Sequence, residues 1–290
     1  MEALKKRFKD ISDFPFDFVY QDKKKPNSEL PVHFHDLYEI FYVHSGKGSV
    51  FVSNHFYEIS SGDLYIIPRD VIHHTIPSIE EPPTISALYF DACLVHENFN
   101  NQAFNYLTLF YIARESNDYK LNLSVAHQHL TEHILTKMFH ELTERRLGYQ
   151  SAIVQSIRHI LLSLSRLHLS QEPILTGNLE SGPKWMKDTL SFIDQNLDQP
   201  LTLSCLAKRA YVSPEHFSRV FKKLTGMTLS HYVNSKKIIQ AKSILSTTNQ
   251  NIANIAEKIG FKNTTHFYRM FKKSVGLTPS AYRKKNTRYL

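Results

Sequence analysis

The sequence predicts an α+β protein with a β-rich N-terminal part and an all-α C-terminal part. Three observations indicate this division. Short runs rich in Tyr, Phe, Val and Ile lie between about residues 18 and 92, apolar residues recur at helical spacing after about residue 98, and a helical repeat fills the last third of the chain. With 290 residues, the chain is long enough for two domains.

The β-rich region contains short apolar runs that predict the strands of a sandwich or barrel. The clearest runs are residues 39–43, 49–52, 56–59 and 63–67, and turn residues such as Gly and Ser separate them. We therefore expect a β-barrel domain over residues 1–97.

A helical segment is expected over residues 98–170. It carries two apolar stripes: Leu130, Ile134, Met138 and Leu142, and then Ile153, Ile157, Ile160, Leu161, Leu164 and Leu167. The stripes fit either a helix pair that packs on the barrel or a dimerisation surface, and the sequence leaves both open. Residues 171–183, which include two Gly and two Pro, predict a flexible linker.

Charge separates the last third from the rest of the chain. From residue 183 onward there are 19 Lys and Arg against 5 Asp and Glu, whereas residues 1–182 hold 16 and 22. A basic part with a net charge of +14 predicts a polyanionic partner, and we favour double-stranded DNA over a membrane surface.

Composition also excludes some classes of protein. There is no apolar stretch long enough to cross a membrane, and the charged start of the chain lacks the apolar core of a signal peptide. The only cysteines, Cys93 and Cys205, are too far apart and too few for a disulfide framework or a cysteine zinc site. We expect a cytoplasmic protein without a cofactor.

The basic region contains an internal repeat. Residues 203–226 and 252–276 align so that Phe217, Arg219, Phe221 and Gly226 match residues 50 positions later: Phe267, Arg269, Phe271 and Gly276. Each copy predicts a short helix, a tight turn and a second helix. The domain over residues 184–290 is therefore predicted to hold two helix-turn-helix motifs in tandem.

The second helix of each copy has an apolar face and a polar face. Ser213 and Asn263 are predicted N-caps, and Gly226 and Gly276 are predicted left-handed C-terminal residues. The polar faces are expected to bind DNA, although an ordinary solvated surface is the alternative. The predicted DNA-binding residues are Ser213, Glu215, His216, Ser218, Arg219, Lys222 and Lys223 in the first copy, and Asn263, Thr264, Thr265, His266, Tyr268, Arg269, Lys272 and Lys273 in the second.

Side-chain chemistry assigns these residues different roles. Arg in the major groove can pair with guanine, Glu can accept from cytosine and Thr can contact the thymine methyl group, while the Lys pairs farther along each helix suit phosphates. A long helix over residues 230–245 joins the copies. Its Lys236, Lys237 and Lys242 are predicted either to contact the DNA backbone or to lie in solvent.

The repeat in the basic region resembles a domain of a known family. The pattern Ser-Pro-x-x-Phe-Ser-Arg-x-Phe-Lys-Lys-x-x-Gly at residues 213–226, with the related run at 260–283, is similar to the paired helix-turn-helix domain of AraC/XylS-type transcriptional regulators. The resemblance covers about residues 184–285. It implies a sequence-specific promoter-binding activator that recruits RNA polymerase and binds DNA as a homodimer. It also implies that Glu215, Ser218, Arg219, Thr264, Thr265 and Tyr268 contact bases.

The N-terminal region also contains a motif that resembles a known fold. Residues 33–46 follow the pattern H-x-H-x3-E-x6-G, which resembles the first motif of cupin barrels, and residues 62–73 resemble the second. The chain departs from the second motif at Asp70, where the pattern has Gly, and at Pro77, where it has Asn. This resemblance implies a cupin-like effector-binding domain.

The residues expected to bind an effector in the barrel are His33, His35, Glu39, Tyr42 and His73. Residues 33, 35 and 39 share parity, so on extended backbone they would face one side. A small organic effector, with a carbohydrate favoured, is the preferred ligand. A divalent metal on His33, His35, Glu39 and His73 is the less favoured alternative, as in a metal-binding enzyme or a metal sensor fused to a DNA-binding domain. A fold without a ligand is the third possibility. We expect a regulator and not an enzyme.

Overall fold

The computed structural model describes residues 4–5, 13–24, 32–96, 104–170 and 182–286. It divides into two compact units. The barrel unit comprises Lys6–Leu30 and His35–Ser181, and the helical unit comprises Gly182–Leu290 with the segments Met1–Lys5 and Pro31–Phe34. Most of the predicted linker, 171–183, lies outside the described residues, as does the basic stretch 6–9.

Four of the strands, β4 to β7, lie where the apolar runs predict them. The strand bounds are β1 Leu4–Lys5, β2 Phe16–Lys23, β3 His33–Phe34, β4 Tyr38–Ser45, β5 Gly48–Val52, β6 His55–Ile59, β7 Leu64–Ile67, β8 His73–Pro77, β9 Thr84–Phe90 and β10 Lys120–Leu121. The long strands β2 and β9 and the strand β8 are not among the predicted runs.

Two sheets form the β part of the barrel unit. One has the order β10-β7-β4-β9-β2, in which every pair is antiparallel. In the other, β5 pairs antiparallel with both β6 and β8. Apolar side chains of both sheets share one core, in which Tyr65 and Val52 are fully buried. In the helical unit, β1 and β3 form a short parallel pair.

In the part of the barrel unit that the structure describes, three α-helices follow a short 3-10 turn at Ala92–Leu94: α1 Thr108–Ser116, α2 Val125–Glu144 and α3 Tyr149–Ser170. The two apolar stripes lie on α2 and α3. Ile134, Met138, Ile157 and Leu161 are buried in the same core as the strands, and Leu142 packs against it. The stripes therefore serve to pack the helix pair on the sheets, so burial within one chain accounts for them.

Seven helices lie among the described residues of the helical unit, 182–286. They are α4 Lys184–Gln195, α5 Leu203–Arg209, α6 Pro214–Thr225, α7 Leu229–Thr247, α8 Ile252–Lys258, α9 Thr264–Val275 and α10 Pro279–Asn286. Helices α5–α6 and α8–α9 are the two predicted helix-turn-helix motifs, and α7 is the predicted long connecting helix. None of the helices among the described residues has the length and apolar character needed to cross a membrane.

Both motifs have aromatic cores. In the first, Phe217 lies 5.5 Å from the Trp185 ring and 5.7 Å from that of Phe221, measured between ring centroids. In the second, Phe267 and Phe271 are completely buried and lie 5.6 Å apart. The matching aromatic residues of the repeat thus fix the position of α6 and α9 on their supporting helices.

Candidate functional sites

The helices α6 and α9, which we call the recognition helices, begin and end as the sequence predicts. The Ser213 side chain accepts a hydrogen bond from the backbone N–H of His216, and Asn263 accepts bonds from the N–H groups of Thr265 and His266. At the C-terminal ends, the glycines of the repeat adopt left-handed φ angles of 75° and 84°. Each recognition helix is therefore capped at both ends, which defines where it begins and where it stops.

The polar face of each recognition helix is open to solvent. In the first, every predicted DNA-binding residue is exposed: Ser213, Glu215, His216, Ser218, Arg219, Lys222 and Lys223. In the second, His266 and Tyr268 are half-buried, whereas Asn263, Thr264, Thr265, Arg269, Lys272 and Lys273 are exposed. Two matched basic faces are therefore available to a ligand outside the protein.

Local interactions position individual side chains on these faces. Arg219 lies beside His216, with 3.3 Å between Nη2 and Nδ1. Hydrogen bonds from its own backbone N–H and from Ser213 lower the pKa of Glu215, which therefore remains an anion at the helix N-terminus. Tyr268 packs its ring edge-to-face on Phe267 at 6.0 Å, so only part of its side chain faces outward.

The lysines of α7 differ from the sequence-based expectation. Lys237 and Lys242 are buried, with 7% and 1% of their surface exposed, and Lys236 forms an ion pair with Asp194 at 2.8 Å. The ammonium of Lys237 donates a 2.8 Å hydrogen bond to the carbonyl of Gly260, and burial lowers its pKa. Lys237 and Lys242 are therefore not available to the DNA backbone.

Gly260 lies in the turn between α8 and α9 and fits tightly against the loop that follows α4. Its φ is +78°, and a Cβ atom there would lie 2.7 Å from the carbonyl oxygen of Asp198 and 2.9 Å from that of Leu197. No L side chain fits this position without backbone movement. Since the same glycine carbonyl accepts the bond from Lys237, this turn ties the second motif to the connecting helix.

In the barrel unit, three of the predicted residues converge. The ligand atoms of His35, Glu39 and His73 lie within 4.8 Å of one another, and all three residues are buried. His33 is buried on β3 of the helical unit. Oε2 of Glu39 lies 2.9 Å from Nε2 of His35 and 3.0 Å from Nε2 of His73. The convergence occurs although residues 35–37 interrupt the strand on which the parity argument relies.

Burial and mutual contacts set the protonation of this cluster. Burial lowers the pKa of His35, although its hydrogen bond with Glu39 acts in the opposite direction. Burial alone would raise the pKa of Glu39, but the charge of His73 and hydrogen bonds from both histidines hold it well below its usual range. Glu39 is therefore a buried carboxylate anion.

Two aromatic residues differ in their relation to the cluster. Tyr89 pairs with Glu39 across β9 and β4, and its hydroxyl hydrogen-bonds the Glu39 carboxylate. Tyr42, also predicted to bind an effector, lies on β4 three positions after Glu39, and this role stays a prediction. Its odd spacing from Glu39 on a regular stretch of β4 turns it to the other face, where its hydroxyl donates a 2.7 Å bond to Glu132 of α2.

The departure from the second motif at Asp70 leaves the turn intact. Asp70 adopts a φ of 60°, the left-handed conformation that Gly would supply, and its N–H donates a 2.8 Å bond to the carbonyl of His35. Asp tolerates this region better than most residues. The turn therefore still delivers His73 to the cluster, and Pro77 lies at the far end of β8.

Comparison with known proteins identifies the family. The model of the AraC-like ligand binding domain matches residues 15–161, which is half of the chain, and a helix-turn-helix domain model matches residues 206–285. The chain belongs to the AraC family. The two matches give this AraC-family protein a ligand-binding domain followed by a helix-turn-helix DNA-binding domain.

Relatives of this AraC-family protein match different parts of it. The regulatory protein PocR of Salmonella typhimurium is 36% identical over 100 residues, 34% of this chain and 33% of PocR. The Transposon Tn10 TetD protein of Escherichia coli is 39% identical over 99 residues, 34% of this chain and 72% of TetD. The HTH-type regulator SAS0078 of Staphylococcus aureus is 24% identical over 244 residues, 84% of this chain and 31% of SAS0078. The chain thus spans about a third of the length of PocR and SAS0078.

Three residues that shape the sites of this AraC-family protein are not among the site residues predicted from the sequence. Lys237 and Gly260 require knowledge of tertiary contacts, because they are 23 positions apart and meet only after folding. Tyr89 is not among the residues that the sequence predicts to bind an effector. The pairing register of β4 and β9, which places it opposite Glu39, is the signal that would have found it.

Proposed function

We propose that the protein is a sequence-specific transcriptional activator whose two recognition helices occupy successive major-groove faces of double-stranded DNA. The observation that carries this proposal is the pair of exposed basic faces on α6 and α9 within one compact unit. Helix α7, with 19 residues, is about 29 Å long at 1.5 Å per residue. That length is comparable with one turn of DNA, about 34 Å.

The residues divide into base-contacting and phosphate-contacting groups. Arg219 and Arg269 are exposed in the middle of their helices and can each reach a guanine edge, while Glu215 and Thr265 near the N-terminal ends face other bases. The Lys pairs in the last turn of each helix contact phosphates. Because the two faces differ in sequence, each recognition helix reads a different half of the target site.

The effect of Arg219→Ala on DNA binding tests this division. We expect a loss of about 1–3 kcal/mol on the preferred site and relaxed preference at a single base position. Arg166→Ala is the matched control, since Arg166 is exposed on α3 of the barrel unit and carries the same charge. A selection over randomised duplexes, followed by titration of the winning site, provides the measurement. An equal loss on all sequences would contradict base contact by Arg219.

Dimer formation and activation belong to the same proposal. The outward faces of α2 and α3 remain exposed, with Leu147 fully open in the turn between them, and offer surface for a homodimer. Sedimentation equilibrium of the full chain with and without operator DNA measures the stoichiometry. Transcription in vitro with purified RNA polymerase tests activation, and a fall in transcript on adding the protein would show repression instead.

The barrel unit supplies the response to a small-molecule effector in this proposal, and the regulator itself catalyses no reaction. The match to an AraC-like ligand binding domain supports an effector, and the sequence favours a carbohydrate. An effector must bind one conformation of the protein more tightly than the other in order to shift DNA binding. A thermal-shift screen of sugars against the full chain tests the class, because a ligand of the folded state raises its melting temperature.

A further inference from the structure

Tyr211, in the turn between α5 and α6, combines an unfavourable backbone conformation with an open side chain. Its φ is +56°, in the left-handed region, and 96% of its surface is exposed. A bulky L residue enters this region only at an energetic cost. Because the ring packs against almost nothing in the described part of the chain, burial of apolar surface does not offset that cost.

The internal repeat shows what the fold alone requires at this position. Tyr211 in the first motif corresponds to Gly260 in the second, 49 residues later. The residue after each of them donates its backbone N–H to the carbonyl five positions earlier, at 3.1 Å in the first turn and 2.9 Å in the second. Glycine adopts the left-handed conformation without strain, so the turn does not need a tyrosine. A strained and exposed aromatic residue is typical of a contact with another molecule.

Tyr211 borders a groove on the surface of the helical unit, which we call the Tyr211 groove. Its volume is about 660 Å³, within the range of about 300–1,000 Å³ that ligand sites occupy. The ring of Trp185 is half-buried and packs on Phe217 at 5.5 Å, so it forms a fixed wall. The lining includes Trp185 and Asp188 of α4, Cys205, Lys208 and Arg209 of α5, and Tyr211.

The charges of the Tyr211 groove favour an acidic ligand. Lys208 and Arg209 are both exposed, and Asp188 is the one carboxylate among the described residues that line the groove. The guanidinium of Arg209 lies 4.0 Å from the centroid of the Phe192 ring, which holds the side chain in place while it stays open to solvent. An Arg side chain that lies on an aromatic ring can still donate its N–H groups to a carboxylate.

The second motif has a comparable surface, and an acidic loop lies against it. Helix α7 precedes α8 there as α4 precedes α5, and Gly260 takes the place of Tyr211. The carbonyl oxygens of Leu197 and Asp198, in the loop after α4, lie 2.9 and 2.7 Å from the position of a Cβ on this glycine. Burial lowers the pKa of Lys237 in this surface, and the charge of Asp198 acts in the opposite direction. The second motif is thus an internal example of an acidic segment on this kind of surface.

We propose that the Tyr211 groove binds an acidic segment of a partner protein, an extended stretch that carries a carboxylate next to an apolar side chain. The carboxylate pairs with Lys208 and Arg209, and the apolar side chain packs between Trp185 and Tyr211. Trp, Tyr and Arg are the residues that most often dominate the affinity of protein interfaces. The DNA backbone has no apolar side chain to place between the two rings, so a protein is favoured over DNA. The inference goes beyond the DNA contacts proposed above and does not depend on them.

Selection of displayed peptides on the full chain tests the groove. The probes are short random peptides without tryptophan, selected on the immobilised wild type. We expect enriched peptides in which Asp or Glu stands beside an apolar residue. Synthetic copies should change the fluorescence of Trp185 as they bind, because Trp185 lines the groove and is the only tryptophan of the chain.

Two variants, each of which copies a residue of the second motif, locate the binding. Tyr211→Gly and Lys208→Glu should each weaken binding of the enriched peptides at least ~10-fold, as expected of residues that dominate an interface. Lys258→Glu is the matched control and should keep the affinity, since Lys258 is exposed in the last turn of α8 and undergoes the same change of charge. Tyr211→Gly should also keep or raise the melting temperature, because glycine relieves the strain of the turn.

Three results of the selection would overturn the inference. They are a wild type that enriches no peptide, enriched peptides without acidic residues, and enriched peptides that bind both groove variants as tightly as the wild type. A clear fall in the melting temperature of Tyr211→Gly would also overturn it, because the ring would then stabilise the fold itself.

The affinity for the selected DNA duplex separates a protein ligand from DNA. Tyr211→Gly should leave this affinity within ~2-fold of the wild type, as a surface substitution away from the interface does. A larger loss would assign the groove to DNA and refute the proposal. A wild type that binds the duplex but enriches no peptide refutes this inference alone and leaves the proposed DNA-binding function intact.

Discussion

Replacing Gly260 with Ala should destabilise the helical unit by a predictable amount. The φ of +78° costs an Ala residue about 1–2 kcal/mol relative to Gly. The added Cβ would also lie 2.7 Å from the Asp198 carbonyl oxygen, and overpacking of this kind typically costs about 1–3 kcal/mol more. We therefore expect a total loss of about 2–5 kcal/mol in the free energy of unfolding.

Gly148 offers a matched control, because its φ is +82° and nothing lies within 4 Å of a Cβ built there. Gly148→Ala should therefore show only the backbone cost, about 1–2 kcal/mol. Trp185, the only tryptophan of the chain, packs on Phe217 in the helical unit, so its fluorescence in urea reports the effect of Gly260→Ala. Far-UV circular dichroism follows Gly148→Ala. If Gly260→Ala costs no more than Gly148→Ala, the steric argument for this turn is refuted.

Three further predictions concern the helical unit. Lys237→Met should destabilise the unit by about 1–2 kcal/mol. The variant loses a charged hydrogen bond, and this loss is partly offset because an ammonium group no longer has to be buried. Burial lowers the folded-state pKa of Lys237, so the unfolded chain binds more protons than the folded one. The free energy of unfolding of the wild type should therefore rise, relative to that of the Met variant, as pH increases from this lowered pKa to about 10.4. Urea titrations that show the same difference in free energy at every pH would contradict this. Lys223→Ala should reduce the salt dependence of DNA affinity by about one unit in slope, while Lys137→Ala on α2 leaves it unchanged, as filter binding at several salt concentrations can show. Ser213→Ala should cost about 1 kcal/mol of thermal stability through the lost cap, and an equal loss for Ser218→Ala would argue against a specific capping role.

Most of the predictions that the structure confirms depend on residues close together in sequence. The recognition helices follow from capping residues and from the spacing of Phe217 and Phe221, which depend only on neighbours in sequence. Strands β4 to β7 follow from short apolar runs between turns. These features are decided within about ten residues, the distance over which helical and strand periodicity act.

Features that depend on distant parts of the chain could not be predicted in the same way. The apolar stripes of α2 and α3 look alike whether they cover a sheet or a second subunit, and only the folded core shows that Ile134 and Ile157 are buried within one chain. A lysine on a long helix is normally solvated, and the burial of Lys237 depends on a turn 23 residues later. Strand alternation places Tyr42 and Glu39 on opposite faces of β4, and the hydrogen-bond partner of the Tyr42 hydroxyl lies 90 residues farther along the chain.

The left-handed turn at Asp70 has a consequence for how related barrels are recognised. A sequence pattern that requires glycine at this position would miss the second cupin motif of this chain, although Asp70 adopts the left-handed φ that glycine would supply. The feature that glycine would contribute at this corner is its positive φ, and Asp70 also adopts it. Asp therefore takes the left-handed position that the motif gives to Gly, and the turn still brings His73 beside Glu39.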